Sequence, residues 1–183
     1  MWDDCKDFDC KDNKCVCKTV RQIAAAQDEV VTPDCDVSCK QSIQNLVSPA
    51  VTTGNDTIPF ILYCKGTCKP FVGSSVLQAT VGQNRVFRCF ESPIFRVSKI
   101  HKDCCADLEL LLPVTQGGST PGPGGKNVCD YFPGNSIRNL QRTGICIKVD
   151  LCDFVGIACL EPVRALPVSD FNVTAAADER KDH

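Results

Sequence analysis

Cysteine is the residue through which this chain could do chemistry: fifteen thiols occur in 183 residues. Thiols can hold zinc, attack an electrophile, exchange disulfides or cross-link, and each use demands its own spacing. Structural zinc sites are built from paired ligands at C-x₂₋₄-C spacing, usually two such pairs or one pair with histidines. No C-x-x-C occurs here, Cys35/Cys39 and Cys64/Cys68 have the looser C-x₃-C spacing, and the imidazoles are His101 and the terminal His183. No metal ligand and no cofactor is therefore assigned. A cysteine nucleophile needs a base and an orienting group, yet His101 lies in the polar run His101-Lys102-Asp103-Cys104, which reads as a turn between strands. A thiol oxidoreductase would carry C-x-x-C at a helix start. No catalytic residue is assigned, and the chain is read as non-enzymatic. The odd number of cysteines leaves at least one thiol over from any pairing within the chain, which invites bonds between molecules.

A chain of this length buries roughly 70% of its unfolded surface, so it can build a core without disulfides. The opening Met1-Trp2-Asp3-Asp4-Cys5 has neither the apolar stretch nor the small-residue cleavage site of a secretory leader. No run approaches the 18 or so apolar residues of a membrane span. Synthesis in a reducing cytosol, without a signal peptide, is therefore expected, and cytosol keeps thiols reduced. That leaves metal binding, redox buffering or delayed oxidation to account for so much cysteine. A net charge of −2 and the lack of a basic cluster argue against a nucleic-acid surface, and no membrane partner is expected.

The elements that must carry these thiols follow from periodicity. Residues 1–14 mix aspartate with lysine and read as a flexible arm bearing Cys5 and Cys10, with Cys15 next at the same interval of five. Residues 15–50 form a helical segment: Val16, Val20 and Ile23 lie at helical spacing, and a second helix from Asp36 sets Cys39, Ile43, Leu46 and Val47 on one face. Cys35 and Cys39, one turn apart, could staple that helix to a neighbour or pack as small hydrophobes. Residues 51–165 form the β core. A strand over 58–64 starts near Pro59, and the turn Lys65-Gly66-Thr67 would set Cys64 across from Cys68. Strands at 76–81 and 86–90 follow, then a central hairpin within 89–114. In its second half Ala106, Leu108, Leu110 and Leu112 oppose Cys105, Asp107 and Glu109, the pattern of a half-buried strand. A glycine- and proline-rich loop covers 116–127, and beyond Cys129-Asp130-Tyr131-Phe132 a short irregular piece runs to Thr143-Gly144. In the last strong segment Ile145, Ile147, Val149 and Leu151 alternate with Cys146, Lys148, Asp150 and Cys152, so these thiols, like Cys105, point away from the apolar face. Residues 166–183 read as a disordered tail. The fold class expected is mainly β: a single-domain antiparallel β-sandwich with one or two short N-terminal helices and disordered termini.

Several of these blocks carry a resemblance. They are Thr57-Ile58-Pro59-Phe60-Ile61-Leu62-Tyr63, Cys89-Phe90-Glu91-Ser92-Pro93-Ile94-Phe95-Arg96-Val97, Cys104-Cys105-Ala106, Cys146-Ile147-Lys148-Val149-Asp150-Leu151 and Ile157-Ala158-Cys159-Leu160. In that order, over about residues 15–162, they resemble the CotY/CotZ/ExsY family of spore coat and exosporium proteins of endospore-forming bacilli. The resemblance implies a cysteine-rich structural protein made in the mother cell. It would assemble with itself, as a hexamer and an extended hexagonal sheet, and with other coat or exosporium proteins at the spore surface, where disulfides cross-link it. On that role Cys5, Cys10, Cys15 and Cys17 are the first candidates for inter-subunit bonds, because a tether reaches a neighbour without distorting either fold. Cys105, Cys146 and Cys152 join them, while Cys64, Cys68, Cys35 and Cys39 are candidates for bonds within the chain. A metal-binding or redox-buffering protein is the alternative.

Overall fold

The computed structural model describes Ile23, Ala26 and residues 37–48, 54–81, 83–101 and 104–168. Contacts divide the chain into Met1–Asp36 and Val37–His183. In the first unit Ile23 and Ala26 are helical, as the spacing predicts; the rest of that unit, including the expected arm, lies outside the described residues, as does 169–183. The second unit is mainly β with antiparallel sheets and one helix. The helix α1 (Cys39–Val47) is followed by seven strands: β1 (Phe60–Cys64), β2 (Gly73–Val81), β3 (Asn84–Ser92), β4 (Phe95–Ile100), β5 (Cys105–Thr115), β6 (Ile137–Asp150) and β7 (Phe154–Cys159). Five of them form one sheet in the order β6-β5-β4-β1-β7, and β2 pairs with β3 as a separate ribbon.

The expected central hairpin is β4 and β5, joined across residues 101–104, with Phe95 opposite Leu110 and Arg96 opposite Glu109. Cys89 belongs instead to β3, where it faces Val76 of β2. The half-buried reading of β5 is overturned: every residue from Leu108 to Val114 is buried. One face of the sheet carries Phe60, Leu62, Phe95, Ala106, Leu108, Leu110 and Leu112, covered in part by Phe90 from the β2–β3 ribbon. The other carries Ile61, Ile94, Leu111 and Leu140, packed against Val128, Phe132, Leu160 and Val163. A strand in the middle of a sheet covered on both faces has no solvent side, so the charge at 109 marks an internal site rather than an exposed face. The covering layer on the first face is this two-stranded ribbon. Its base lies so close that a Cβ on Gly73 would come 2.8 Å from Phe95 Cε1.

Glu109 is 2% exposed. Its carboxylate accepts from Arg142 Nε at 3.2 Å to both oxygens, from Arg96 Nη1 at 3.4 Å and from the Gly144 backbone N–H at 3.0 Å. The β5–β6 register shifts between Glu109 and Leu111, and Gly144 takes a left-handed φ of 69° there. This bulge turns the β6 backbone so that one N–H and one guanidinium converge on the carboxylate. It also accounts for the piece expected to be irregular: Ile137 to Thr143 is strand, continuous through the bulge, because Thr143 Oγ1 donates to Leu110 O at 2.8 Å and restores the ladder. Few apolar residues and one glycine hid it from the alternation pattern.

α1 is capped by Ser38, whose hydroxyl accepts from Gln41 N–H at 3.1 Å. Its inward face is only partly the one expected, with Cys39 and Leu46 partly buried as the spacing predicts. Ser42 is buried and donates to Leu160 O at 2.7 Å, whereas Ile43 and Val47 are 54% and 72% exposed. The attachment to β7 at Cys39 and Ser42 sets the helix's rotation, and it outweighs the apolar stripe. Pro59 directly precedes β1, at a strand start as expected, although β1 is an interior strand. Leu166, placed by sequence in the tail, bridges Gln141 of β6 and donates to Leu140 O at 2.9 Å.

Replacing Glu109 by Gln keeps the shape and removes the charge from a site that holds two guanidinium groups. Stability is expected to fall by about 2–4 kcal/mol, towards the lower end because Arg96 and Arg142 are part-exposed and water screens them. Denaturant unfolding will read it as a lower midpoint with unchanged slope.

Candidate functional site

The described thiols divide by position into one bonded pair and eight free cysteines. Cys39, at the first residue of α1, is joined to Cys159, at the last residue of β7, with Cα atoms 4.8 Å apart and 120 residues between them in sequence. Nothing in the spacing marks Cys159 as a partner, because the contact arises only when α1 docks on the sheet edge. Cys64 and Cys68 are free thiols, the first half-buried and the second exposed. The turn between them is closed by Cys64 O accepting from Cys68 N–H at 3.0 Å, and Cys68 holds a φ of 53°. Cys35, Cys5, Cys10, Cys15 and Cys17 lie outside the described residues.

Five of the free thiols lie on the segments that meet the turn between β6 and β7. Cys64 ends β1 opposite Phe154, and Lys65 N–H of the following turn donates to Asp153 O at 2.8 Å. Cys105 opens β5 opposite Asp150 at the end of β6. Cys104, just before it, accepts from Leu151 N–H at 2.9 Å. Leu151 to Asp153 form a 3-10 turn capped by Asp150, whose carboxylate accepts from Cys152 N–H at 2.9 Å. The turn after β6, which carries Cys152, is thus tied to Cys104 before β5 and to the turn after β1 that holds Cys64 and Cys68, and these segments make up a thiol-bearing rim. A depression of about 530 Å³ beside it is lined by Cys64, Phe71, Val149, Asp150, Asp153 and Phe154.

The chemistry of this rim is set by Asp150. The Asp150 carboxylate beside Cys152, and then the Cys104 thiol, push the Cys152 pKa up from the ordinary thiol value. A raised pKa leaves less thiolate near neutral pH and slows attack. Among the described residues no group of three or more His, Cys, Asp or Glu side chains is placed to hold a metal ion. His101 is engaged with Asp107, Nε2 to Oδ2 at 2.9 Å, and this contact lowers the Asp107 pKa.

The remaining free thiols are spread over the surface. Cys146 is exposed on β6, an edge strand. The alternation that put Cys146 opposite Ile145 and Ile147 is the observed one. Cys89 and Cys129 are exposed as well, and neither was singled out from sequence. For Cys89 a signal existed, since it alternates with the buried Phe90 in β3.

Two outcomes follow for the thiols. Cys39→Ser is expected to lower stability by up to about 5 kcal/mol in oxidising buffer, the chain-entropy value for a loop of this size, and to have no effect once reductant is present; thermal melts in both buffers check it. Cys152 is expected to react with iodoacetamide more slowly near neutral pH than Cys68, catching up as pH rises. Asp150→Asn, which removes the acceptor that holds the thiol proton, is expected to speed its alkylation severalfold, as read by mass spectrometry of the alkylated peptide.

A family model described as spore coat protein Z matches residues 3–162. Spore coat protein Z of Bacillus subtilis (strain 168) is 31% identical to this chain over 155 residues, which is 83% of this chain and 92% of that protein. No solved structure matches the chain. The matched span includes α1 with its disulfide, all seven strands and the thiol rim, and the chain belongs to the spore coat protein Z family.

Proposed function

We propose that this protein is a structural, non-enzymatic, self-assembling subunit of the outermost layers of the spore, the outer coat or crust or the exosporium. The spore coat protein Z family supports a structural role at the spore surface. In this reading the chain folds in the mother-cell cytoplasm, copies pack into a hexagonal two-dimensional lattice, and inter-subunit disulfides then lock the sheet into a protective permeability barrier. Its partners are further copies of itself, as hexamers within the sheet, and other coat or exosporium proteins. No helix among the described residues is long and apolar enough to cross a membrane.

The observation that carries the reading is the distribution of sulfur. A β core closed by apolar packing needs little covalent help, and yet Cys68, Cys89, Cys104, Cys129, Cys146 and Cys152 are all exposed. Thiols that stabilised a single fold would sit in bonded pairs inside it. Exposed thiols on an independently folded unit suit a protein that stays soluble while reduced and becomes linked to its neighbours on oxidation. Cys105, Cys146 and Cys152 are proposed for those bonds, together with Cys5, Cys10, Cys15 and Cys17. Cys89 adds to them: Val76, directly opposite it, and Phe87, two residues away on the same face of the ribbon and 73% exposed, offer apolar surface around a thiol. Several bonds per subunit raise the hold of a reversible contact by about 10² to 10⁴ through multivalency.

Negative-stain electron microscopy of the recombinant protein, prepared with and without reductant, tests the proposal. Ordered sheets are expected in both preparations, with the oxidised sheets alone surviving boiling in detergent. Cys146→Ser is expected to leave the sheets and weaken their detergent resistance. Dispersed monomers in both preparations would falsify the lattice reading.

A further inference from the structure

Cys104 and Cys152 sit at the same end of the antiparallel β5–β6 pair, one residue before β5 and two residues after β6, where Cys105 is opposite Asp150. The Cys104 thiol is close enough to Cys152 to act on its titration. Three features fix them there. Leu151 N–H donates to Cys104 O at 2.9 Å, which ties the backbone of one to the neighbour of the other. Cys104 holds a left-handed φ of 58°, unusual for a residue with a Cβ, and this turns it out of the line of β5. Asp150 accepts from Cys152 N–H at 2.9 Å and closes the 3-10 turn on which that thiol sits. Both thiols are exposed, so a reagent in solution can reach them.

The geometry points to Cys104 and Cys152 as a dithiol that closes to an intrachain disulfide when a small-molecule disulfide is present as oxidant. The balance is simple. One protein thiol attacks the reagent, breaking its S–S bond and releasing the first small thiol, and the mixed disulfide is then resolved by the second protein thiol, which releases the other. Two protein S–H bonds and one reagent S–S bond are replaced by one protein S–S bond and two small thiols, and the two electrons pass to the reagent. The second step is intramolecular between preplaced groups, so it outruns capture by a second reagent molecule or a second copy of the chain. The bond would pin the start of β5 to the turn after β6 and close one side of the thiol rim.

This assignment refines the lattice reading in one respect and does not rest on it. Cys152, named above for a bond between subunits, is instead taken by its own chain, while Cys105 and Cys146, with the exposed Cys68, Cys89 and Cys129, stay open to a neighbour. The groups facing the pair are the Asp150 carboxylate, which hydrogen-bonds Cys152, and the Cys105 thiol next in the chain. Because Asp150 keeps Cys152 protonated, Cys104 is the thiol expected to attack the reagent first, with Cys152 resolving.

The full chain, reduced, freed of reductant and treated with oxidised glutathione at low protein concentration, provides the test. Proteolysis without reduction followed by mass spectrometry is expected to find the peptide containing Cys104 joined to the peptide containing Cys152. The link is expected to persist in Cys105→Ser and to vanish in Cys104→Ser, where Cys152 ends as a thiol or a glutathione adduct. Its rate of formation is expected not to change with protein concentration. A link that survives Cys104→Ser but is lost in Cys105→Ser would overturn the proposal, and so would a rate rising in proportion to protein concentration. Either result can be had whether or not sheets form, so failure of the pair is separable from failure of the lattice.

Discussion

A carboxylate carried into the middle of a sheet must find its cations at fixed places, and Glu109 finds them on both sides. Arg96 lies directly across on β4, and Arg142 reaches in from β6 past the bulge at Gly144. A pair of this kind adds little net stability, because removing the charges from water offsets most of their attraction. Its effect is on register. Sliding β4 or β6 by one residue against β5 would turn the arginine to the other face and leave the carboxylate buried without its partner, at a cost of several kcal/mol. β5 is the strand that both faces of the core depend on, so fixing its neighbours fixes the sheet.

With that sheet set, the positions of the thiols follow. The turn between β6 and β7 links them: Leu151 N–H bonds to Cys104 O just before β5, and Lys65 N–H, just after Cys64, bonds to Asp153 O. Cysteines at 64, 68, 104, 105 and 152, far apart in the chain, are thereby carried on segments tied to one turn. The opposite pattern holds for Cys39 and Cys159, which tie the helix to the last strand. That bond closes most of the folded chain into one loop, and it serves the fold of a single subunit. The exposed thiols of β3 and β6 take no part in holding that fold.

This division makes physical sense for a member of the spore coat protein Z family. A protein that became cross-linked as it folded would be trapped in whichever contacts formed first. A core held by apolar packing lets the subunit reach its shape while thiols are reduced. Under the proposed function, oxidation would then act on a surface that is already ordered, and which thiols pair would be decided by proximity in the folded state rather than by collision of unfolded chains. The raised pKa at Cys152 acts in the same direction, since it slows reaction at a thiol whose partner is already beside it.

The sequence by itself determined the β class, the hairpin of β4 and β5, the ribbon of β2 and β3, the outward set of Cys146 and the family. Each of these is local: alternation over a few residues, a turn between two runs, or a block of characteristic residues. Only the tertiary structure decided what depends on partners distant in the chain. Strand β5 read as half-buried because Asp107 and Glu109 alternate with leucines, and it is buried on both faces because sheet order places it between β4 and β6. The stretch before Gly144 read as irregular because its pairing comes from a bulge that no alternation reveals. The helix presents Ser42 rather than Ile43 and Val47 because its docking on β7 fixes its rotation. Cys159 and Cys152 gained their partners for the same reason: a thiol's neighbour is set by the path of the whole sheet, and no spacing in the sequence encodes a contact across 120 residues.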